Sequence, residues 1–196
     1  MAEPVAGLLL AAGAGRRFGG PKALVEYDGE PLVRRAVRTL SEAGCASVRV
    51  VLGAAAEQVR GLLPPDVTPV FAERWQDGMG ESLKAGLESL ADDPSAAVLV
   101  HLVDLPWVPA AALARVVDAA SEQAVVRAGY QGVPGHPVLF GRRWWADIAR
   151  SAAGDHGARD WLRGRADVRL IECGDLGSGS DVDRPEDLAG PGEERR

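Results

Sequence analysis

Between Leu10 and Lys22 the chain runs Leu-Ala-Ala-Gly-Ala-Gly-Arg-Arg-Phe-Gly-Gly-Pro-Lys, a glycine-rich loop that carries three cations. Glycines let a backbone approach an anion closely and turn several N–H groups toward it, while Arg16, Arg17 and Lys22 add positive charge. The segment therefore reads as a polyphosphate cradle. Two other glycine loops fail when tested. A dinucleotide fingerprint needs a third glycine where Phe18 stands and an acid after the second strand, where Leu52-Gly53-Ala54 has none. A P-loop needs Lys then Ser or Thr after its second glycine, and Gly20 is followed by Pro21. A surface turn with incidental arginines fits the composition equally well, and Lys22 tips the balance. Arginine supplies all but two of the 22 basic residues, and a compact ammonium acts on phosphate as a point charge that a guanidinium does not reproduce.

The carboxylates form a second constellation. Val98-Leu99-Val100-His101-Leu102-Val103 is a buried-strand pattern that ends on Asp104, with Pro106 stopping it. An ionised carboxylate at such a strand end needs a cation or donors, and a metal beside a polyphosphate would meet that need. The competing reading is a cap for the helix that Pro109 opens. Asp181 and Asp183 lie two residues apart, so in an extended segment both face one side and can share that metal with Asp104. Asp183 is equally placed to cap a helix from Pro185. No Ser-His-Asp or Cys-His arrangement suggests a covalent nucleophile.

These residues resemble the nucleotidyltransferases acting on the molybdenum cofactor, within the broader nucleotide-diphospho-sugar transferase fold. The family signature Leu-Ala-Ala-Gly-x-x-x-Arg-x-Gly-x-x-Lys is matched by Leu10, Ala11, Ala12, Gly13, Arg17, Gly19 and Lys22. The similarity continues through Gly78-Met79-Gly80-Glu81-Ser82-Leu83 with Gly86, Asp104-Leu105-Pro106, Gly135 to Phe140, Gly154 to Arg159, and Asp181 to Leu188. The later motifs resemble the molybdopterin cytidylyltransferase branch more narrowly. The resemblance implies nucleotide binding by Ala11, Ala12, Gly13, Ala14, Gly15, Arg16, Arg17, Lys22, Gly80 and Ser82. It implies catalytic roles for Arg17, Lys22 and Asp104, Mg2+ on Asp104 and Asp183, and acceptor contacts from His136 and Arg159.

The implied reaction transfers CMP from CTP to a molybdopterin-type cofactor and releases pyrophosphate. Ala12 stands where guanylyltransferases commonly carry glycine, and its methyl occupies room a purine would need. That discrimination amounts to about 1–3 kcal/mol, so it favours CTP and leaves GTP as the alternative. Another phosphorylated acceptor, or a non-catalytic chaperone delivering cofactor to a recipient molybdoenzyme, are further alternatives. Relatives often have Asn-Pro-x-Trp before the Gly-Met loop, whereas this chain has Ala72-Glu73-Arg74-Trp75. Trp144 and Trp145 suit either pterin stacking or a helix with one indole inward and one outward.

The elements that must position these groups alternate. Apolar runs at 5–11, 47–52, 67–71 and 96–103 suit buried parallel strands, and segments of helical period lie between them at 31–43, 55–63 and 82–90. Pro31 suits a first helical turn and Gly44 a helix stop. Beyond Asp104 the pattern predicts helices at 109–122, 142–151 and 158–163, and strands at 124–127, 137–140 and 168–172. The expected fold is a single-domain, Rossmann-like, three-layer α/β architecture with a mostly parallel sheet and helices on both faces. The domain spans 1–190, followed by a frayed tail at 191–196. The 196 residues carry a net charge of −6 with 46% hydrophobic content and no basic block, which argues against nucleic-acid and membrane-surface partners and for small molecules. Cys45 and Cys173 form no framework, Glu3 precedes the first apolar run where a signal sequence needs a cation, and a cytoplasmic location is expected.

Overall fold

Runs of valine, leucine and alanine too short for helices form the centre of the molecule, a computed structural model that describes residues 3–191. The first half alternates strictly: β1 (Val5–Leu10), a two-residue hairpin β2 (Glu26–Tyr27) and β3 (Glu30–Pro31), α1 (Leu32–Glu42), β4 (Ser47–Leu52), α2 (Ala56–Arg60), β5 (Thr68–Phe71), α3 (Met79–Ser89) and β6 (Ala97–Leu102). The second half adds α4 (Ala110–Val117), β7 (Val125–Tyr130), β8 (Val133–Gly141), α5 (Trp145–Ser151), α6 (Arg159–Leu162) and β9 (Arg169–Glu172). Among the described residues, seven strands form one sheet in the order β5-β4-β1-β6-β8-β7-β9. β8 runs antiparallel to both its neighbours, and the remaining pairings are parallel.

Alternation along the strands divides the apolar residues into two cores, one on each face. Val5 and Leu9 of β1 join Leu32, Val33 and Leu40 of α1 and Leu113 of α4. Ala6, Leu8 and Leu10 point the other way, onto Leu83 and Leu87 of α3 and Ile148 of α5. Both faces are therefore covered, which explains why β1 is apolar throughout and β6 is apolar except for the buried His101, rather than alternating. Leu10 pairs with Leu102 at the carboxyl ends of adjacent strands. The ladder runs one step further, with the Val103 N–H donating to the Leu10 carbonyl at 3.2 Å and the Ala11 N–H to the Val51 carbonyl at 3.0 Å. Ala11 and Asp104 thus leave the sheet side by side, at the edge where open α/β sheets bind ligands.

The expected strands and helices are present, with shifted ends. α3 begins at Met79, three residues before the expected start, because Gly78 (φ +117°) makes the turn that admits it. Pro31 closes the β2–β3 hairpin and precedes the helix instead of lying in its first turn. That hairpin turns through Asp28 and Gly29, both with positive φ, as an Asp-Gly pair favours. β8 is longer than the expected 137–140 because it pairs with β7 across a second positive-φ turn at Gln131-Gly132. Trp145 is buried and donates from Nε1 to the Phe140 carbonyl, whereas Trp144 lies under the Arg165 guanidinium, 4.4 Å from its ring centroid. Residues 192–196 of the expected tail lie outside the described residues. No helix among the described residues is long and apolar enough to cross a membrane.

His101 is the one histidine within the β6 core, 1% exposed and with Nδ1 unpartnered. Burial, and secondarily the charge of His136, push its pKa from the ordinary 6.5 down to about 3. Between those values the folded state binds fewer protons than the unfolded chain, so this residue makes stability fall as pH drops from 6.5 toward 3. We expect His101→Leu to keep a larger share of its pH 7 thermal midpoint at pH 4.5 than the unmodified protein does, as measured by circular-dichroism melts. Parallel pH profiles for the two proteins would refute this.

Candidate active site

The loop after β1 folds back on itself through one glycine. The Gly15 carbonyl accepts the N–H groups of Gly19 at 2.9 Å and Gly20 at 3.1 Å, and its φ of +58° is in the left-handed region. A Cβ there would lie 1.9 Å from the Gly20 carbonyl oxygen, so this position admits only glycine. The backbone N–H groups from Ala12 to Arg17 donate to no acceptor among the described residues. A run of unpaired donors at a strand's carboxyl end is a ready site for anionic oxygens. Ala11 and Ala12 anchor the loop's start, both buried, with the Ala12 carbonyl accepting the Ala54 N–H at 2.9 Å.

Three distant chain segments meet beside this loop. Lys22 Nζ lies 3.0 Å from Asp104 Oδ2 and 3.3 Å from Asp183 Oδ1, and Arg17 pairs with the other oxygen of Asp183. Burial would lower the Lys22 pKa, but Asp104 and Asp183 outweigh it and hold the ammonium charged beyond its ordinary range. Burial pushes the Asp104 pKa up despite the adjacent Lys22, and the charge of Asp181 adds to the rise. Asp104 is thus a carboxylate with less positive charge around it than its burial demands. The buried Val182 donates its N–H to the Asp104 carbonyl at 2.9 Å, which brings this segment alongside Asp104. Asp183 lines the cleft, whereas Asp181, expected to share the metal, is exposed and does not line it.

Neither aspartate serves as the helix cap that was its alternative. α4 follows Pro109 with no side-chain cap. At the last helical turn, Asp187 Oδ2 accepts the N–H groups of Asp183 and Arg184 at 3.0 and 2.8 Å, which leaves the Asp183 carboxylate for the cleft. Two hard carboxylates converging on one ammonium fit a divalent cation that completes its shell with phosphate oxygens and water, the usual manner of Mg2+. Among the described residues no group of three or more acidic, histidine or cysteine side chains forms an all-protein metal cage. The donor set therefore suits a cation shared with a bound phosphate.

These groups line a cleft of about 500 Å³ that holds the loop from Leu10 to Arg17, Lys22, Ser82, Asp104 and Asp183. Trp75 forms part of its wall, admitted because a Cβ on Gly53 would lie 2.5 Å from Trp75 Cγ. Gly80, expected at the nucleotide, does not line this cleft. A Cβ there would lie 2.5 Å from the Ala153 backbone N, so Gly80 lets α3 pack against the turn carrying Asp155. His136 and Arg159 face an adjoining cavity of about 220 Å³, which shares Leu10, Met79, Leu102 and Asp155 with the cleft. Burial, then the Arg127 charge, lowers the His136 pKa to about 4. Sequence reasoning missed Gln76, Asp155 and Arg127; the Gly154 to Arg159 motif pointed only to the block containing Asp155. Trp144 and Trp145 line neither space. A larger hollow of about 1050 Å³ beside Trp107 and Tyr130 holds none of the expected site residues. We expect Gly15→Ala to weaken nucleoside triphosphate binding at least about tenfold, or 1.4 kcal/mol, in calorimetric titration while the far-ultraviolet circular dichroism stays unchanged. Unaltered affinity would show that the loop conformation is irrelevant to the ligand.

Comparison with known proteins matches the same segments. Residues 7–170 fit the model of the MobA-like NTP transferase domain. The chain is 37% identical over 195 residues to the nicotine blue oxidoreductase of Paenarthrobacter nicotinovorans, covering 94% of each protein. It superposes on the crystal structure of Rv0371c from Mycobacterium tuberculosis H37Rv with a TM-score of 0.82 and 28% identity, covering 96% of this chain and 97% of the other. The manganese complex of Rv0371c gives a TM-score of 0.71 and 27% identity, covering 87% and 88%. With the family domain matched over most of its length and the glycine loop and aspartates gathered in one cleft, the chain belongs to the MobA-like NTP transferase family.

Proposed function

We propose that this nucleotidyltransferase is magnesium-dependent, takes CTP, transfers CMP to a molybdopterin-type cofactor and releases pyrophosphate. The observation that carries this reading is the meeting of Lys22, Asp104 and Asp183 at the mouth of a loop of unpaired N–H groups. Asp104 and Asp183 would hold the cation, which when bound neutralises triphosphate charge and polarises the reacting phosphoryl group. The N–H groups from Ala12 to Arg17 orient the phosphates, and Arg17 and Lys22 stabilise charge gathering on the leaving pyrophosphate. Ser82, 4% exposed on the cleft wall, offers one further hydroxyl. The acceptor enters through the cavity of His136 and Arg159, and its terminal phosphate attacks the α-phosphorus in line. Such a phosphate is anionic near pH 7, so the chemistry asks for no general base. The manganese complex of a similar structure supports a divalent cation without choosing magnesium. The methyl of Ala12 supports CTP over GTP, and Cys45 and Cys173, both free thiols, suit a cytoplasmic protein.

A second reading comes from the full-length similarity to a protein named as an oxidoreductase. On this reading the unpaired N–H groups would receive the pyrophosphate of a reduced nicotinamide dinucleotide, although the loop lacks the third glycine and the acid of the usual dinucleotide fingerprint. One experiment separates the two: pyrophosphate release with each of the four nucleoside triphosphates plus cofactor, run beside oxidation of NADH and NADPH with a dye acceptor. Release with CTP alone supports the proposal, and release with GTP alone reassigns the base. Reduced-nicotinamide oxidation without pyrophosphate supports the second reading, and cofactor binding without turnover supports a chaperone delivering to a molybdoenzyme.

Asp104→Asn should lower kcat by roughly 10²–10³-fold while moving the thermal midpoint by less than about 5 °C, because Lys22 keeps Asp183 as its partner. Retained turnover would remove Asp104 from the cation site. Lys22→Arg should lose about tenfold in rate despite conserving charge, and an unchanged rate in the same assay would make Lys22 a bystander.

A further inference from the structure

The cavity beside the nucleotide cleft contains a cation that no carboxylate among the described residues neutralises. Arg127 lies on β7 where the pairing with β8 shifts register between Arg127 and Gly129, a bulge of the kind that redirects a side chain next to a functional site. Arg127 lines the cavity half-buried, its Nε is itself buried, and among the described residues that atom has no hydrogen-bond partner. No carboxylate within salt-bridge distance pairs with it among the described residues. Its charged surroundings are of like sign: the Arg159 charge opposes its own, and it in turn opposes protonation of His136. On the same cavity wall, His156 is engaged with Asp160 at 3.1 Å, and Asp155 stands at the junction with the cleft.

A guanidinium cannot relieve burial by losing its proton, and a buried charge is costly unless paired. Arg127 and Arg159 together therefore make a site whose missing component is an anion. Apart from His136, His156 and the Asp155 carboxylate at the junction with the cleft, the remaining lining is apolar, including Leu83, Val138 and Phe140. The ligand therefore presents its anionic group to the arginines, away from Asp155, and an uncharged body to these side chains. Resting on the nucleotidyltransferase reading of the neighbouring cleft, we infer that Arg127 is the anchor of the acceptor site and binds an oxyanion of the acceptor, phosphate in the first instance, through its paired N–H groups.

The test uses inorganic phosphate as probe, titrated calorimetrically in saturating CTP and Mg2+ so that the glycine loop is already filled. The unmodified protein should bind phosphate, and Arg127→Met should weaken that binding at least tenfold while its CTP affinity stays within twofold. Arg127→Lys, which keeps charge but loses the planar fork, should fall between them. Without phosphate, Arg127→Met should melt at or above the unmodified protein, because an unpaired buried charge has been removed; added phosphate should raise the midpoint of the unmodified protein only. Equal phosphate affinity in all three proteins, no phosphate binding to the unmodified protein, or an Arg127→Met that melts lower with no phosphate-dependent difference would each overturn the inference. Failure of CTP to bind the unmodified protein would instead count against the nucleotide reading, and the phosphate difference between the variants would still report on Arg127.

Discussion

The ammonium of Lys22, held between Asp104 and Asp183, joins three parts of the chain that have no reason of their own to meet. Lys22 follows the loop after the first strand, Asp104 ends the central strand next to it, and Asp183 sits near the end of the described chain. Each carboxylate would be costly to leave at that depth alone, and so would the ammonium. The pairing of β1 with β6 fixes two of the three positions. The third depends on the segment around Val182, which is buried and tied by its N–H to the Asp104 carbonyl. The charges of the candidate site and the closure of the late segment onto the sheet are thus one arrangement.

Around that centre, the two cores do different work. The core under α1 and α4 stabilises the sheet on the face away from α3, while the core under α3 and α5 also forms part of the wall of the cavity beside the cleft through Leu83, Val138 and Phe140. Several glycines matter here by what they permit nearby. Gly53 admits Trp75, and Gly80 admits the Ala153 to Asp155 turn. The positions that shape the cleft are in this way separate from those that line it, which is why a motif can contain a residue, such as Gly80, that does not face the cleft.

The first half of the fold was legible in the sequence because its strands are continuously apolar and its helices amphipathic, and the two patterns differ in period. The phosphate loop was legible because its glycines and its rare lysine are local. Legibility failed where a pairing partner lies elsewhere in space. β8 extends past its apolar stretch into Val133 to His136 because β7 supplies a ladder there, and no periodicity announces that. The cap position that Asp183 was suited to falls instead to Arg184, and Asp187, inside the turn, reaches back to accept the N–H groups of Asp183 and Arg184.

By itself the sequence determined the alternation of strands and helices, the cradle after β1 and the acids at 104 and 183, since these follow from periodicity and from the chemistry of neighbouring residues. Tertiary structure decided how the charges are shared: that Lys22 bridges both aspartates, that Arg17 joins Asp183, and that Arg127 has no carboxylate partner among the described residues and shares a cavity with Arg159 and His136. The reason is that Coulomb energy and desolvation depend on distance and burial in space, and one chain read in order contains neither. Arginine at 127 is one of many in the sequence, and its half-buried place in a cavity, with a buried Nε and no counter-ion among the described residues, sets it apart.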